Sequence, residues 1–203
     1  MAVMLFSLSI HESAHAWTAD RLGDYTGRHL GRVSLNPVVH IDPVGTLLFP
    51  LIADLTNIPL IGWAKPVPVN PMHLKHPTRD QMYIAAAGPV VNVIAGIGFV
   101  IVLRAMGAAF AGGVYNDPVL TPLYQFAIVG VFINFALAAF NLIPIPPLDG
   151  SWILLGVLPY EMAQAYERLR PYGFILLMVL LYTRVLDTIL SPVFTLISLL
   201  LRP

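Results

Sequence analysis

The chain has 203 residues, 57% of them hydrophobic and only 11% charged, with zero formal net charge and a mean hydropathy of +0.76. A soluble domain carries about 25% charged and about 45–50% apolar residues, so this composition excludes an ordinary soluble globule and indicates an integral, multi-pass membrane protein. The lack of cysteine excludes disulfides, thiolate ligands and cysteine nucleophiles, and with no basic tail or patch the chain has no electrostatic footprint for nucleic acid.

Residues 1–22 predict the first membrane helix, about 31 Å long as far as Arg21 and just sufficient to span. The start lacks a basic region, so it does not read as a cleavable signal. Within this run stand His11, Glu12, Ser13, Ala14 and His15. On a helix, positions four apart share a face, so His11 and His15 can offer two imidazole nitrogens to one cation. Glu12 adjoins the first of them and is placed to take a proton from an activated water. H-E-x-x-H is the zinc metalloprotease arrangement. A chance match, with two histidines serving only packing, is the plain alternative. Three ionisable side chains in an apolar segment argue against it, because each is costly there unless paired or ligating.

Residues 23–43 read as loop and short strand, with Arg32-Val33-Ser34-Leu35 as one extended piece. Residues 44–61 are apolar but broken by Pro50, Asp54, Asn57 and Pro59, and predict a re-entrant or interfacial segment. In 62–71, GWAKPVPVNP, the alternating prolines favour an extended edge strand. Residues 73–79 form a polar, basic connector. Two confident membrane helices follow at 81–106 and 123–140, separated by a loop without Lys or Arg. The second runs into NLIPIPPLDG, residues 141–150, where three prolines must end the helix. A short apolar piece at 152–158, an interfacial helix at 160–170 and an apolar region at 174–201, as one tilted helix or two, complete the chain. Lys and Arg cluster after the first helix, before the 81–106 helix and near Arg170. By the positive-inside rule those regions are cytoplasmic. His15 then lies about 9 Å above Arg21, which puts a metal within the bilayer but nearer the cytoplasmic face.

A catalytic zinc site needs three protein ligands and an open position. Without cysteine the third is a carboxylate or another histidine. Asp149 is the best-placed candidate, at the proline-broken end of a span on the same side, unless it merely caps the next helix. Asp54 is the alternative. Asn141, with Asn92 second, is the candidate side-chain amide for an oxyanion, against ordinary interhelical hydrogen bonding for both. His29, His40, His73 and His76 read as loop residues, with no obvious carboxylate partner for His73 and His76. Arg184 and Asp187 suggest an i,i+3 ion pair, and Arg104 a snorkelling side chain.

HESAH in an apolar helix followed by NLIPIPPLDG closely resembles the site-2 proteases, intramembrane zinc metalloproteases that cut transmembrane segments. LGRVSLNPVVHIDPVGTLL, GWAKPVPVNP and AGPVVN are similar to stretches of the small members of that family. The resemblance covers roughly residues 5–158. It implies one Zn2+ ligated by His11, His15 and Asp149, Glu12 as catalytic base, Asn141 near the scissile carbonyl, and transmembrane proteins as substrates in a lipid bilayer, most naturally the plasma membrane. The expected fold is an all-α polytopic membrane protein: a three-helix site-2-protease-like core with short membrane-associated strands (1–158), then an interfacial helix and one or two membrane helices (159–203). There is no room for a PDZ domain. A metal transporter or an inactive binding relative are the competing functions. The first gives Glu12 no chemical task, and the intact Glu12 argues against the second.

Overall fold

The computed structural model describes residues 2–56, 62–111 and 117–202, apart from the side chains of Pro50, Asp54 and 108–111. Helix α1 (Ala2–Arg21) is inside-out for a soluble protein. Ser7, Ser9, His11, Ser13, His15 and Asp20 are buried, while Phe6 and Trp17 are exposed. Its polar stripe faces protein, and its apolar stripe faces outward, which suits lipid.

A short α2 (Thr26–His29) follows. A π-helical turn at Pro43–Leu48 then leads into α3 (Phe49–Thr56), too short to cross a bilayer. The long α4 (Pro77–Ala111) and α5 (Leu120–Asn141) pack on each other, and α1 lies against both. Asp117 accepts from Val119 and Leu120 N–H and so caps α5; these bonds hold its carboxyl below the usual range.

After the proline turn come α6 (Asp149–Val157), which packs on α4, and the exposed α7 (Tyr160–Glu167). Then α8 (Gly173–Tyr182) and α9 (Val185–Leu200) meet at a 73° bend. Arg184 adopts φ 58° between them. This break takes Arg184 off the α9 face that carries Asp187, so the expected ion pair does not form among the described residues; Asp187 N–H bonds the Arg184 carbonyl instead. Arg104 Nη2 donates to Leu200 O at the end of α9.

By length and composition, the Pro77–Gly107 stretch and α5 can each cross a membrane, and the bent α7–α9 region makes a third candidate. α1 is not among them, because its ionisable and hydroxyl groups dilute its apolar content. The apolar core among the described residues is divided among an α4–α5–α9 cluster around Leu103, Val131 and Ile197, one joining the proline turn to α8 and α9 around Ile143, Leu148, Leu177 and Leu186, and a smaller one of Ala19, Leu74 and Ile84.

The expected strands at 32–35 and 62–71 are absent among the described residues. Residues 62–70 are extended, but they bond to single points rather than a second strand. Trp63, Lys65 and Val67 N–H donate to Gly45 O, His40 O and Glu12 Oε2. Pro66 and Pro68 supply no donor for a ladder.

The far end of this strap is clasped by Asp24, a fully buried carboxylate that accepts from Thr26 N–H and Oγ1–H, Asn70 N–H and His73 Nδ1. His73 therefore has a carboxylate partner that its local sequence conceals, 49 positions away. Burial alone would raise the Asp24 carboxyl, but the hydrogen bonds from Thr26, Asn70 and His73 outweigh it and hold the group below its usual range. A depressed carboxyl stabilises the fold above its unfolded value of about 3.9 and loses that contribution as pH falls through the lower folded value. Thermal unfolding in detergent is therefore expected to show an acid limb below about pH 4, and Asp24→Asn to lower the melting temperature at pH 7 while flattening that limb.

Candidate metal and catalytic site

One turn of α1 places His11 and His15 on the face turned toward α4 and α6, with ring centroids 4.6 Å apart. α6 begins at Asp149, whose carboxylate turns toward them. Its Oδ2 lies 3.1 Å from His11 Nε2 and 3.4 Å from His15 Nε2. Asp149 does not cap its helix, since no side-chain cap bond forms at the α6 N-terminus.

The outer face of each imidazole is already committed. His11 Nδ1 lies 2.6 Å from Asn92 Oδ1, and His15 Nδ1 lies 2.7 Å from the Ile84 carbonyl. Both partners are acceptors, so both Nδ1 atoms carry a hydrogen, and in the neutral rings that ligation requires both Nε2 atoms present lone pairs. The assignment of Oδ1 on Asn92 is fixed by its other contacts, because Nδ2 faces Ser7 O and Asn134 Oδ1, which can only accept. Two imidazole lone pairs and one carboxylate thus converge, all within 4.8 Å. Asp149 Oδ2 is buried and has no hydrogen-bond donor. Such a set repels itself unless a cation sits among it, and two nitrogens with one oxygen suit zinc.

Two glycines permit this approach. A Cβ on Gly88 would lie 2.5 Å from His15 Nε2 and 2.6 Å from His11 Cε1. A Cβ on Gly150 would lie 2.3 Å from Leu142 O. Pro89, beside Gly88, brings no N–H to the α4 ladder.

The site opens into a cavity of about 510 Å³ that includes Leu8, Glu12, Trp63, Val67, Gln81, Asn141, Trp152 and Phe174 in its walls. Glu12 is partly exposed to it and is steadied by Val67 N–H at 3.2 Å. Asn141, the last residue of α5, lines it too, with Nδ2 donating to Leu137 O at 3.0 Å. Asn92 does not line it; this side chain is fully buried and bonded on both amide functions, the ordinary interhelical role. The Asp54 side chain lies outside the described residues.

Sequence reasoning missed two contributors. Gly88 and Asn134 sit in apolar helices, where a small residue and a lone amide were the only signals. His40, buried, bonds Ser34 O at 2.8 Å and lies 3.3 Å from Ser13 Oγ, which ties the loop after α2 to the middle of α1.

The model of peptidase family M50 matches residues 1–181, and the chain belongs to this family, that of the site-2 proteases. It is an intramembrane zinc metalloprotease. The chain is 37% identical, over 196 residues, to "Putative zinc metalloprotease YwhC" of Bacillus subtilis, covering 93% of this chain and 82% of that one. It is 31% identical over 189 residues to Rip2 of Mycolicibacterium smegmatis, which carries the same description (92% and 68% covered), and 30% identical over 181 residues to Rip2 of Mycobacterium tuberculosis (89% and 65%). No solved structure matches the chain.

Gly88→Ala is expected to drive the two imidazoles apart. Zinc content per purified chain, measured by atomic absorption, should fall well below one equivalent, while helical circular dichroism stays near that of the wild type.

Proposed function

We propose that His11, His15 and Asp149 ligate the zinc ion, that Glu12 is the general base, and that Asn141 assists at the scissile carbonyl. The convergence of three buried lone-pair atoms, with both outward imidazole nitrogens already bonded to acceptors, carries this reading. Bound there, zinc supplies Lewis acidity, bringing the pKa of water down to about 7 and polarising a carbonyl.

The remaining chemistry belongs to the chain. Glu12 takes a proton from the attacking water and returns it to the leaving amine. Val67 N–H holds one Glu12 oxygen and leaves the other for this task. Asn141 has two amide hydrogens, and bonding Leu137 O uses one of them; the other serves the oxyanion. The apolar walls around Trp63, Trp152 and Phe174 exclude bulk water and accept hydrophobic side chains.

The substrate is a transmembrane segment unwound near the site. Its extended backbone lies along residues 62–70, by strand-like pairing. Trp63, Lys65 and Val67 use their N–H groups inward. In an extended chain the intervening residues point the opposite way, and there Pro66 and Pro68 offer carbonyls without N–H. The substrate must therefore contribute most of the donors. Residues 1–158 form the catalytic core, and 159–203 close it with Phe174 and Leu177 in the cavity wall. The basic clusters orient the site toward the cytoplasmic side of the cell membrane.

Glu12→Gln is expected to retain zinc while cleavage of a transmembrane peptide in detergent falls on the order of 10²- to 10⁴-fold. Unchanged cleavage with zinc retained would exclude Glu12 as the base.

A further inference from the structure

Two asparagines, both fully buried, link α5 through α4 to the candidate metal site on α1. Asn134, on α5, donates from Nδ2 to Gly130 O of its own helix at 2.9 Å, which fixes its amide so that Oδ1 points away. That Oδ1 accepts from Asn92 Nδ2 of α4 at 2.8 Å. Asn92 Nδ2 also reaches Ser7 O of α1 at 3.2 Å, and Asn92 Oδ1 faces His11 Nδ1 at 2.6 Å. The donors and acceptors thus run in one direction across three helices, ending at the imidazole.

An asparagine amide can turn over, and the two orientations have nearly the same shape. If Asn92 turned, its Nδ2 would face His11 Nδ1. His11 would then present a lone pair there and carry its hydrogen on Nε2, the atom aimed at Asp149. That form cannot ligate a cation through Nε2. Ser7 O alone holds Nδ2 at the longer 3.2 Å; the second acceptor, Asn134 Oδ1, commits the amide.

We propose that Asn134 is a positioning residue which, acting through Asn92, fixes the His11 imidazole in the Nδ1–H form that the metal site requires. It touches neither metal nor substrate and lies outside the cavity wall. The proposal rests on His11 being a zinc ligand. Partners of metal-bound histidines typically contribute on the order of 10- to 100-fold in metal affinity, and Asn134 stands one step further back.

The test uses the full chain in detergent, stripped with a chelator. Zinc affinity is read by competition with a chromophoric chelator, and Co2+ binding by its visible absorption. Asn134→Leu removes the acceptor and is expected to weaken zinc binding about 3- to 30-fold and to alter the Co2+ spectrum. Asn134→Asp keeps an acceptor toward Asn92 and is expected within about 2-fold of wild type. The decisive variant is Asn92→Asp/Asn134→Leu. An aspartate at 92 accepts from His11 in either orientation, so the loss caused by Asn134→Leu should largely disappear. A double variant as weak as Asn134→Leu would reduce Asn134 to a packing role and overturn the proposal. Wild-type affinity in Asn134→Leu, with His11→Ala impaired, would overturn this inference alone. Undiminished zinc binding in His11→Ala would overturn the ligand reading and the proposal with it. Should Asn134→Leu fail to fold, Asn134→Asp carries the test: a loss beyond about 10-fold there would contradict the acceptor role.

Discussion

Three lone pairs meeting where no hydrogen-bond donor reaches them is the constraint on which this structure depends. A buried acceptor left unpaired costs about 1–3 kcal/mol, and a carboxylate more. His11, His15 and Asp149 present such atoms at one point, from helices that begin more than a hundred positions apart. The outward nitrogens are satisfied, so neutral imidazoles cannot turn their hydrogens inward without losing the bonds to Asn92 and the Ile84 carbonyl. On the ligand set proposed above, a divalent cation resolves the repulsion and couples α1 to α6. On that reading the ion also stabilises the fold, as mass action requires of any ligand that prefers the folded state.

The surrounding architecture follows from that demand. α1 must carry polar groups through an apolar environment, so it is wrapped by α4, α5 and the loop after α2, with its polar stripe inward. α4 must let two imidazoles come closer than a side chain permits, and glycine at 88 does this. α6 must start hard against the preceding turn for its first carboxylate to reach the site, and Gly150 makes this approach. The strap at 62–70 then joins the two halves of the chemistry. Its N–H at Val67 steadies Glu12, and its end is locked to the α1–α2 connection by Asp24.

Much of this was legible in the sequence, for physical reasons. HESAH sets two imidazoles four apart on a helix by local geometry alone, and the proline run after 141 marks where a span must end. The two long helices followed from unbroken apolar length. Extended chain at 62–70 was readable from alternating prolines, but those same prolines, and partners scattered over α1 and the 40–45 loop, prevent a strand. What remained hidden depends on distant pairing. Asp24 and His73 look like unrelated loop residues until the fold closes. Asn92 reads as a second-choice oxyanion donor against the ordinary interhelical bond; its neighbours Asn134 and His11 show the bonds it makes. Gly88 carries no chemistry of its own, and its function is the space it leaves.

X-ray absorption at the zinc edge of the purified chain tests the central account most directly. It predicts one zinc per chain, with two imidazole nitrogens at about 2.0–2.1 Å and oxygen ligands beside them. Replacing His11 or His15 by alanine should lower the imidazole number from two to one, and replacing Asp149 by alanine should remove one oxygen scatterer or the metal itself. A coordination shell unchanged by all three substitutions would contradict it.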